Sequence, residues 1–336
     1  MSASVRARLV EWEVTRACKL SCMHGAISAP RRSPHELSTY EAYKTIDQIV
    51  AIRPEEVTFT GGDPLERPDI FELVEYARRR GLDPALVVSP TPMLTGHAVG
   101  KLRRNGLNRI VLGIDSATPA RHDAMRAITG QFTATLLATR WARSSDLALE
   151  VNTLVTHKNF LDLMPIANLI TEIGAKRWNV YFPVPAGGKH IEMPTAGEVE
   201  RTFATLQEIR NFARFSIRTF EAPHFRRHVL QNVHPAIDQF IAKDVAAEVV
   251  FISHTGEVSV SPFLPMTAGN VRLQPLSFIA GQSDLIVALR DPGNLKGKCG
   301  RCEYRQVCGG SRARAFAMTG DLFSSDPLCS HQPGAA

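Results

Sequence analysis

Short apolar runs alternate with longer amphipathic ones along roughly the first 190 residues of this chain. The short runs are RLVEWEV (8–14), EEVTFT (55–60), PALVVS (84–89), RIVLGI (109–114), ALEVNTLV (148–155) and KRWNVYF (176–182). Each is rich in β-branched or aromatic residues and reads as a strand. Between them lie TYEAYKTIDQIVAI (39–52), DIFELVEYARRR (69–80), ATLLATRWARS (134–144) and LDLMPIANLITEIG (161–174), with helical spacing and, in several cases, Gly or Asn at the end. Six strand-then-helix units predict parallel strands joined by right-handed crossovers. An open six-unit barrel and a doubly wound sheet both fit. Either one puts ligands at the C-terminal ends of the strands.

Past that point the pattern changes. A charged helical stretch (197–213) leads into SIRTFEAPHFRRHVLQNV, and EVVFISHTGEVSVS reads as a β-hairpin turning at His254-Thr255-Gly256. The last 40 residues read as cysteine-bearing loop. The expected organisation is a barrel over 1–195, a helical connection over 196–245 and a small domain over 246–336.

The chain has 336 residues, 44% hydrophobic and 21% charged, which is ordinary globular composition. No apolar run reaches the roughly 18–20 residues that span a bilayer. The N-terminal MSASVRARLVEWEVT enters a strand pattern without an apolar core and cleavage site, so a cytoplasmic protein is expected. The net charge of +6 is spread over many arginines, the pattern of a solvated surface rather than a nucleic-acid-binding one. The six cysteines fall into two groups, Cys18 and Cys22 against Cys299, Cys302, Cys308 and Cys329. Such grouping, with no secretion signal, points to metal ligation rather than disulfides.

Cys18 and Cys22 directly follow the first strand, behind Thr15 and Arg16. Alone, two cysteines four apart are equally well small buried side chains. The second strand ends in Thr60 and is followed by Gly61-Gly62-Asp63-Pro64, where glycines allow backbone to approach a ligand closely. Ser89, Asp115 with Ser116, and Glu150 with Asn152 sit at or near later strand ends; such residues serve ligands or cap helices. Trp178, Tyr181, Phe182, Glu221, His224 and Arg226 are polar or aromatic candidates for a cavity mouth, although TFEAPHFRR also reads as a helix start with proline near its first turn. The C-terminal array has spacing Cys-x2-Cys-x5-Cys, with Cys329 following after 20 residues. Four thiolates suit a [4Fe–4S] cluster or tetrahedral zinc.

Over roughly residues 8–330 the chain resembles the radical S-adenosylmethionine (SAM) superfamily with a SPASM/twitch-type C-terminal extension, similar to haem-biosynthesis and peptide-maturation enzymes. The family signature is Cys-x3-Cys-x2-Cys after the first strand; here Cys18 and Cys22 match and Gly25 replaces the third cysteine. The resemblance implies a (βα)6 partial TIM barrel with a small iron–sulfur domain. It implies SAM held near Gly61, Gly62, Asp63, Ser89, Asp115 and Asn152, and an auxiliary [4Fe–4S] cluster on Cys299, Cys302, Cys308 and Cys329. A second [4Fe–4S] cluster at Cys18 and Cys22 lacks one of its three ligands, unless neighbouring His24 or a small molecule supplies it. A fuller extension carries a further cysteine where this chain has Ser311, and further ligands in the hairpin region SHTGEVSVSPFLP, which has none. The implied reaction is reductive cleavage of SAM to a 5′-deoxyadenosyl radical that modifies a small-molecule, peptide or tetrapyrrole-like substrate. The electron comes from a reductant such as ferredoxin or flavodoxin. The competing reading is a non-catalytic relative that keeps the fold and one metal centre.

Overall fold

A computed structural model describes residues 9–20, 29, 31–186, 191–232 and 249–334. In chain order the elements are β1 (Leu9–Thr15), α1 (Thr39–Ile52), β2 (Glu56–Gly61), α2 (Ile70–Arg79), β3 (Pro84–Val87), α3 (Gly96–Arg104), β4 (Arg109–Gly113), α4 (Pro119–Arg126), α5 (Gln131–Ser144) and β5 (Ala148–Leu154). There follow α6 (Leu163–Glu172), β6 (Arg177–Tyr181), α7 (Ala196–Arg210), β7 (Ser216–Phe220), α8 (His224–Asn232), β8 (Val249–Ile252), β9 (Glu257–Ser259) and β10 (Gly269–Asn270). Four short helices close the chain: α9 (Leu276–Gln282), α10 (Asp284–Arg290), α11 (Gly297–Arg301) and α12 (Arg312–Thr319). The expected α/β class holds, and the six expected strands and four expected helices appear within a few residues of their predicted ends. The chain divides into two compact units. The first comprises Met1–Gly113, His122–Glu150 and Glu248–Val287; the second comprises Ile114–Arg121, Val151–Ala247 and Ala288–Ala336.

In the first unit the strands run in the order β10-β9-β8-β1-β2-β3-β4. β1 pairs in parallel with both β2 and β8, and β2–β3 and β3–β4 are parallel too. β1 is buried along its whole length. Its even residues, Val10, Trp12 and Val14, are fully enclosed, and Trp12 packs edge-on against Phe59 with ring centroids 5.3 Å apart. Its odd residues Glu11, Glu13 and Thr15 are polar yet also buried, so each needs a partner to offset lost hydration. α1 starts where Ser38 and Glu41 form a capping box and turns Ile46 and Ile49 inward. β8 and β9 form the expected antiparallel hairpin, with Gly256 at φ 85° in its turn.

In the second unit β5, β6 and β7 follow in order, with β6–β7 parallel. α7 is capped by Thr195 and Glu198 in a second capping box. Two features differ from expectation. SIRTF forms β7, although Ser216 and Arg218 break the apolar run that marks the other strands. The cysteine-bearing segment, expected to be loop, contains α11 and α12, each too short to show a helical period. TFEAPHFRR is the expected helix start, with Pro223 just before α8.

Candidate functional site

In the first unit the chemistry-bearing loop leaves β1 at Thr15. The Thr15 hydroxyl donates to Glu36 Oε1 at 2.6 Å, and the Arg16 N–H donates to the same oxygen at 3.2 Å. Arg32 Nε donates to the other oxygen at 2.7 Å. Burial alone would raise the Glu36 pKa, but these hydrogen bonds outweigh it and hold the carboxyl below its usual range. Cys18 is buried; its N–H donates to the Ala29 carbonyl at 2.8 Å, and the Ala29 N–H returns to the Arg16 carbonyl at 2.8 Å. The Leu20 N–H donates to Cys18 Sγ at 3.4 Å. Cys22, His24 and Gly25 lie outside the described residues.

Gly61 and Gly62 pack directly on this loop. The Gly62 N–H donates to the Thr15 carbonyl at 2.9 Å, and the Asp63 N–H donates to the Ala17 carbonyl at 2.6 Å. A Cβ at Gly61, where φ is 140°, would stand 2.1 Å from the Thr15 oxygen; one at Gly62 would stand 2.3 Å from the Ala17 oxygen. The close approach these glycines permit is therefore to the chain's own backbone, one residue ahead of Cys18. Asp63 is wholly buried: Oδ1 accepts from the Leu65 N–H at 3.1 Å, capping a short turn, and Oδ2 accepts from the Thr91 hydroxyl at 2.6 Å. Burial raises the Asp63 pKa. Ser89, half-buried just past β3, gives its carbonyl to the Thr91 N–H at 2.7 Å. Glu150 pairs with Arg109 at 3.2 Å.

Two supports of this loop carry no sequence motif. Arg67 is buried, forks onto Asp69 at 2.7 and 3.0 Å, and donates to the carbonyls of Val14 at 2.8 Å and Leu37 at 3.0 Å. Glu13 accepts from the His254 N–H at 3.2 Å and lies 2.7 Å from His254 Nδ1. The hairpin that lacks cysteines is thus tied to β1 by a histidine.

In the second unit Asp115 is buried; Oδ1 accepts from the Leu154 N–H at 2.9 Å, and its carbonyl accepts from Asn159 Nδ2 at 2.9 Å. Asn152 Oδ1 accepts from Asn179 Nδ2 at 3.0 Å. Trp178, Phe182 and His224, expected near a cavity mouth, are instead buried in the core, whereas Tyr181 and Glu221 are half-exposed. Arg226 is buried and donates to the Val307 carbonyl at 2.8 Å.

The four C-terminal cysteines line one open pocket, together with Arg227, Lys298, Arg305 and His331. Cys299 sits on α11 and Cys302 ends it; Cys308 precedes Gly309 and Gly310, both left-handed at φ 69° and 70°. No described cysteine is in a disulfide. Burial pushes the Cys308 thiol up to about 12 and raises Cys302 and Cys329 as well. Such thiols ionise when a cation replaces the proton, which is the chemistry of a thiophilic metal. Among the described residues, the one trio of ligand atoms within 4.8 Å of one another is Cys302, Glu303 and His331, so no three of the four sulfurs are that close.

A buried clasp holds this segment. Arg314 and Asp326 are both fully enclosed and pair through two bonds, of 2.9 and 2.7 Å. Burial alone would raise the Asp326 pKa; the Arg314 guanidinium reverses that and holds the carboxyl well below the usual range. Arg314 also donates to the carbonyls of Glu221 at 2.8 Å and Pro183 at 3.3 Å. Ser311 caps α12, accepting from the Arg314 N–H at 3.1 Å, and its hydroxyl donates to the Glu221 carboxylate. The clasp was not foreseeable from sequence, because nothing about two charged residues twelve apart announces that both are enclosed.

Comparison with known proteins agrees. The Radical SAM superfamily profile matches residues 12–170. An "AdoMet-dependent heme synthase" of Methanosarcina barkeri is 34% identical over 97% of this chain and 97% of its own. A "PqqA peptide cyclase" of Bradyrhizobium diazoefficiens is 26% identical, covering 96% of this chain and 85% of its own. Among solved structures, Streptococcus suis SuiB bound to S-adenosylmethionine superposes with a TM-score of 0.77 at 13% identity, over 97% of this chain and 78% of that one. Native anSMEcpe with bound AdoMet and a peptide gives 0.72 at 14%, over 96% and 93%. This chain belongs to the radical SAM superfamily, in its SPASM/twitch-type branch, and has the partial TIM barrel fold of that family. Among the described residues no helix is long and apolar enough to cross a membrane.

Proposed function

We propose that this protein acts on a tetrapyrrole, in the manner of the haem-synthesis branch of the family. The observation that carries this is the 34% identity to an "AdoMet-dependent heme synthase" over nearly the full length of both chains, against 26% for the peptide cyclases. In this reading Cys299, Cys302, Cys308 and Cys329 hold one [4Fe–4S] centre, which supplies one-electron chemistry when bound. Their shared pocket supports one centre held by all four thiols. S-adenosylmethionine binds near Gly61, Gly62, Asp63 and Ser89, and ferredoxin or flavodoxin delivers the electron.

The N-terminal donor set does not fit a three-thiolate cluster. Cys18 and Cys22 offer two sulfurs, and position 25 offers no side chain. That single observation favours a second reading, a non-catalytic relative that keeps the fold and the C-terminal centre. Anaerobic reconstitution with iron and sulfide, then addition of SAM and a reductant, separates the two. Release of 5′-deoxyadenosine supports the enzyme. Iron bound at the C-terminal cysteines without release supports the relative, and a chain that binds neither iron nor SAM sinks both.

A further inference from the structure

The face of the second unit's sheet that carries Asn152 also carries a flat aromatic pair. The parallel register of β6 and β7 sets Asn179 opposite Arg218 and Tyr181 opposite Phe220. Residues paired across neighbouring strands point to the same side, so these four share one face. Asn152 joins them through its bond to Asn179. The intervening residues Trp178 and Val180 point the other way and are fully buried. The rings of Tyr181 and Phe220 stack at a centroid distance of 4.4 Å and an angle of 6°, and both are half-buried.

A cross-strand aromatic pair stabilises any sheet, but three features go beyond that role. The pair closes the C-terminal ends of its strands, the end at which parallel βα folds bind ligands. Its neighbours on the face are polar and include a cation, while β7 is the last strand of the sheet among the described residues. The next residue, Glu221, holds a left-handed φ of 56°, unusual outside glycine, and is fixed there by Arg314 and Ser311 of the four-cysteine segment.

We propose that Tyr181 and Phe220 form the stacking seat of a flat, conjugated macrocycle, with Arg218 receiving one of its carboxylates; this rests on the tetrapyrrole reading above. Continuing the stack past Phe220 places the ring plane parallel to both side chains. Arg218, two residues back along β7, stands about 6.6 Å from Phe220 along the strand. That offset suits a carboxylate on a short substituent rather than the ring itself. An extended peptide would use the backbone edge of β7 and would be indifferent to these side chains.

The test is equilibrium binding of iron coproporphyrin III, and of its tetramethyl ester, to the full chain carrying its C-terminal iron, followed by the porphyrin absorption band. Phe220→Leu is expected to weaken both ligands about tenfold through lost stacking. Arg218→Gln is expected to weaken the acid about tenfold or more and to leave the ester unchanged, because a charge-assisted bond is lost. If Phe220→Leu fails to retain iron, Tyr181→Leu reads the same seat. Parent-like binding by both Phe220→Leu and Arg218→Gln overturns the seat and leaves the tetrapyrrole reading standing, as does equal loss of acid and ester in Arg218→Gln. A parent that binds neither porphyrin overturns both.

Discussion

The two cysteine regions of this protein are built in different ways. At the N-terminal loop the positioning backbone is intact: Gly61 and Gly62 press against Thr15–Ala17, Arg67 holds the end of β1, and Glu36 gathers Thr15, Arg16 and Arg32. It offers two thiols, Cys18 and Cys22, with Gly25 three positions further on. At the C-terminal segment four thiols line one pocket, and Ser311 is a helix cap bonded to Glu221. The first region joins a tightly held backbone to two thiols. The second joins four thiols to a segment held by Ser311 and the Arg314–Asp326 pair. A well-positioned backbone and a full donor set are therefore separate properties of the chain.

The largest test of this contrast is at the C-terminal pocket. Cys308→Ser should abolish the centre outright, with bound iron and sulfide falling to background, because a small loop-rich segment draws much of its order from the metal. Retention of a full complement of iron would show that the four thiols do not act as a unit. Next comes a paired gain-of-metal experiment. Gly25→Cys should add about one [4Fe–4S] cluster per chain, since Cys18 and Cys22 already supply two ligands. Ser311→Cys should add none, because the hairpin offers no partner thiols. Iron analysis and electron paramagnetic resonance distinguish them, and equal behaviour of the two variants would break the comparison.

A third test addresses the scaffold alone. Gly62→Ala places a methyl inside the contact distance of the Ala17 and Arg16 carbonyls and should destabilise the first unit by about 3–5 kcal/mol, read as a drop in denaturant midpoint. A shift below about 1 kcal/mol would show that the loop yields without strain.

The fourth is a pH effect. His224 is fully buried; burial outweighs the attraction of Asp326 and lowers its pKa to about 4. A folded pKa below the unfolded value of about 6.5 means that the contribution is complete above about pH 6.5 and is lost as pH falls toward 4. The loss amounts to about 3 kcal/mol across that window. His224→Phe should flatten that part of the stability–pH curve; an unchanged slope would mean that the imidazole does not titrate there. The smallest effect belongs to Ser311→Ala, which removes one cap and one partner of Glu221 and should lower stability by about 1–2 kcal/mol without changing iron content.

Much of the architecture was readable from periodicity. β2 and the long helices α1 and α5 announce themselves because one buried face imposes a fixed spacing, β1 does so by its β-branched and aromatic run, and Ser38 with Glu41 marks a helix start. The cysteine spacings were equally legible. β7 was not, since a strand at the end of a sheet can carry Ser216 and Arg218 without losing its pairing. Nor were Arg314–Asp326, Arg67 or Glu13–His254, which depend on enclosure that only the assembled fold creates. For Gly61–Gly62 the sequence signalled close approach to a ligand; the neighbour that the structure shows there is the chain's own backbone.

The pairing of β8 with β1 has a consequence for biosynthesis. Leu9 to Trp12 lie alongside Val249 to Ile252, so β1 waits for a strand made some 240 residues later. Until then one edge of β1 offers unpaired amides and carbonyls beside apolar side chains, a template for wrong partners. A nascent chain stopped before β8 should therefore be far more prone to aggregate than its length suggests, and the cysteine-free hairpin acts as the late-made cover for that edge of β1.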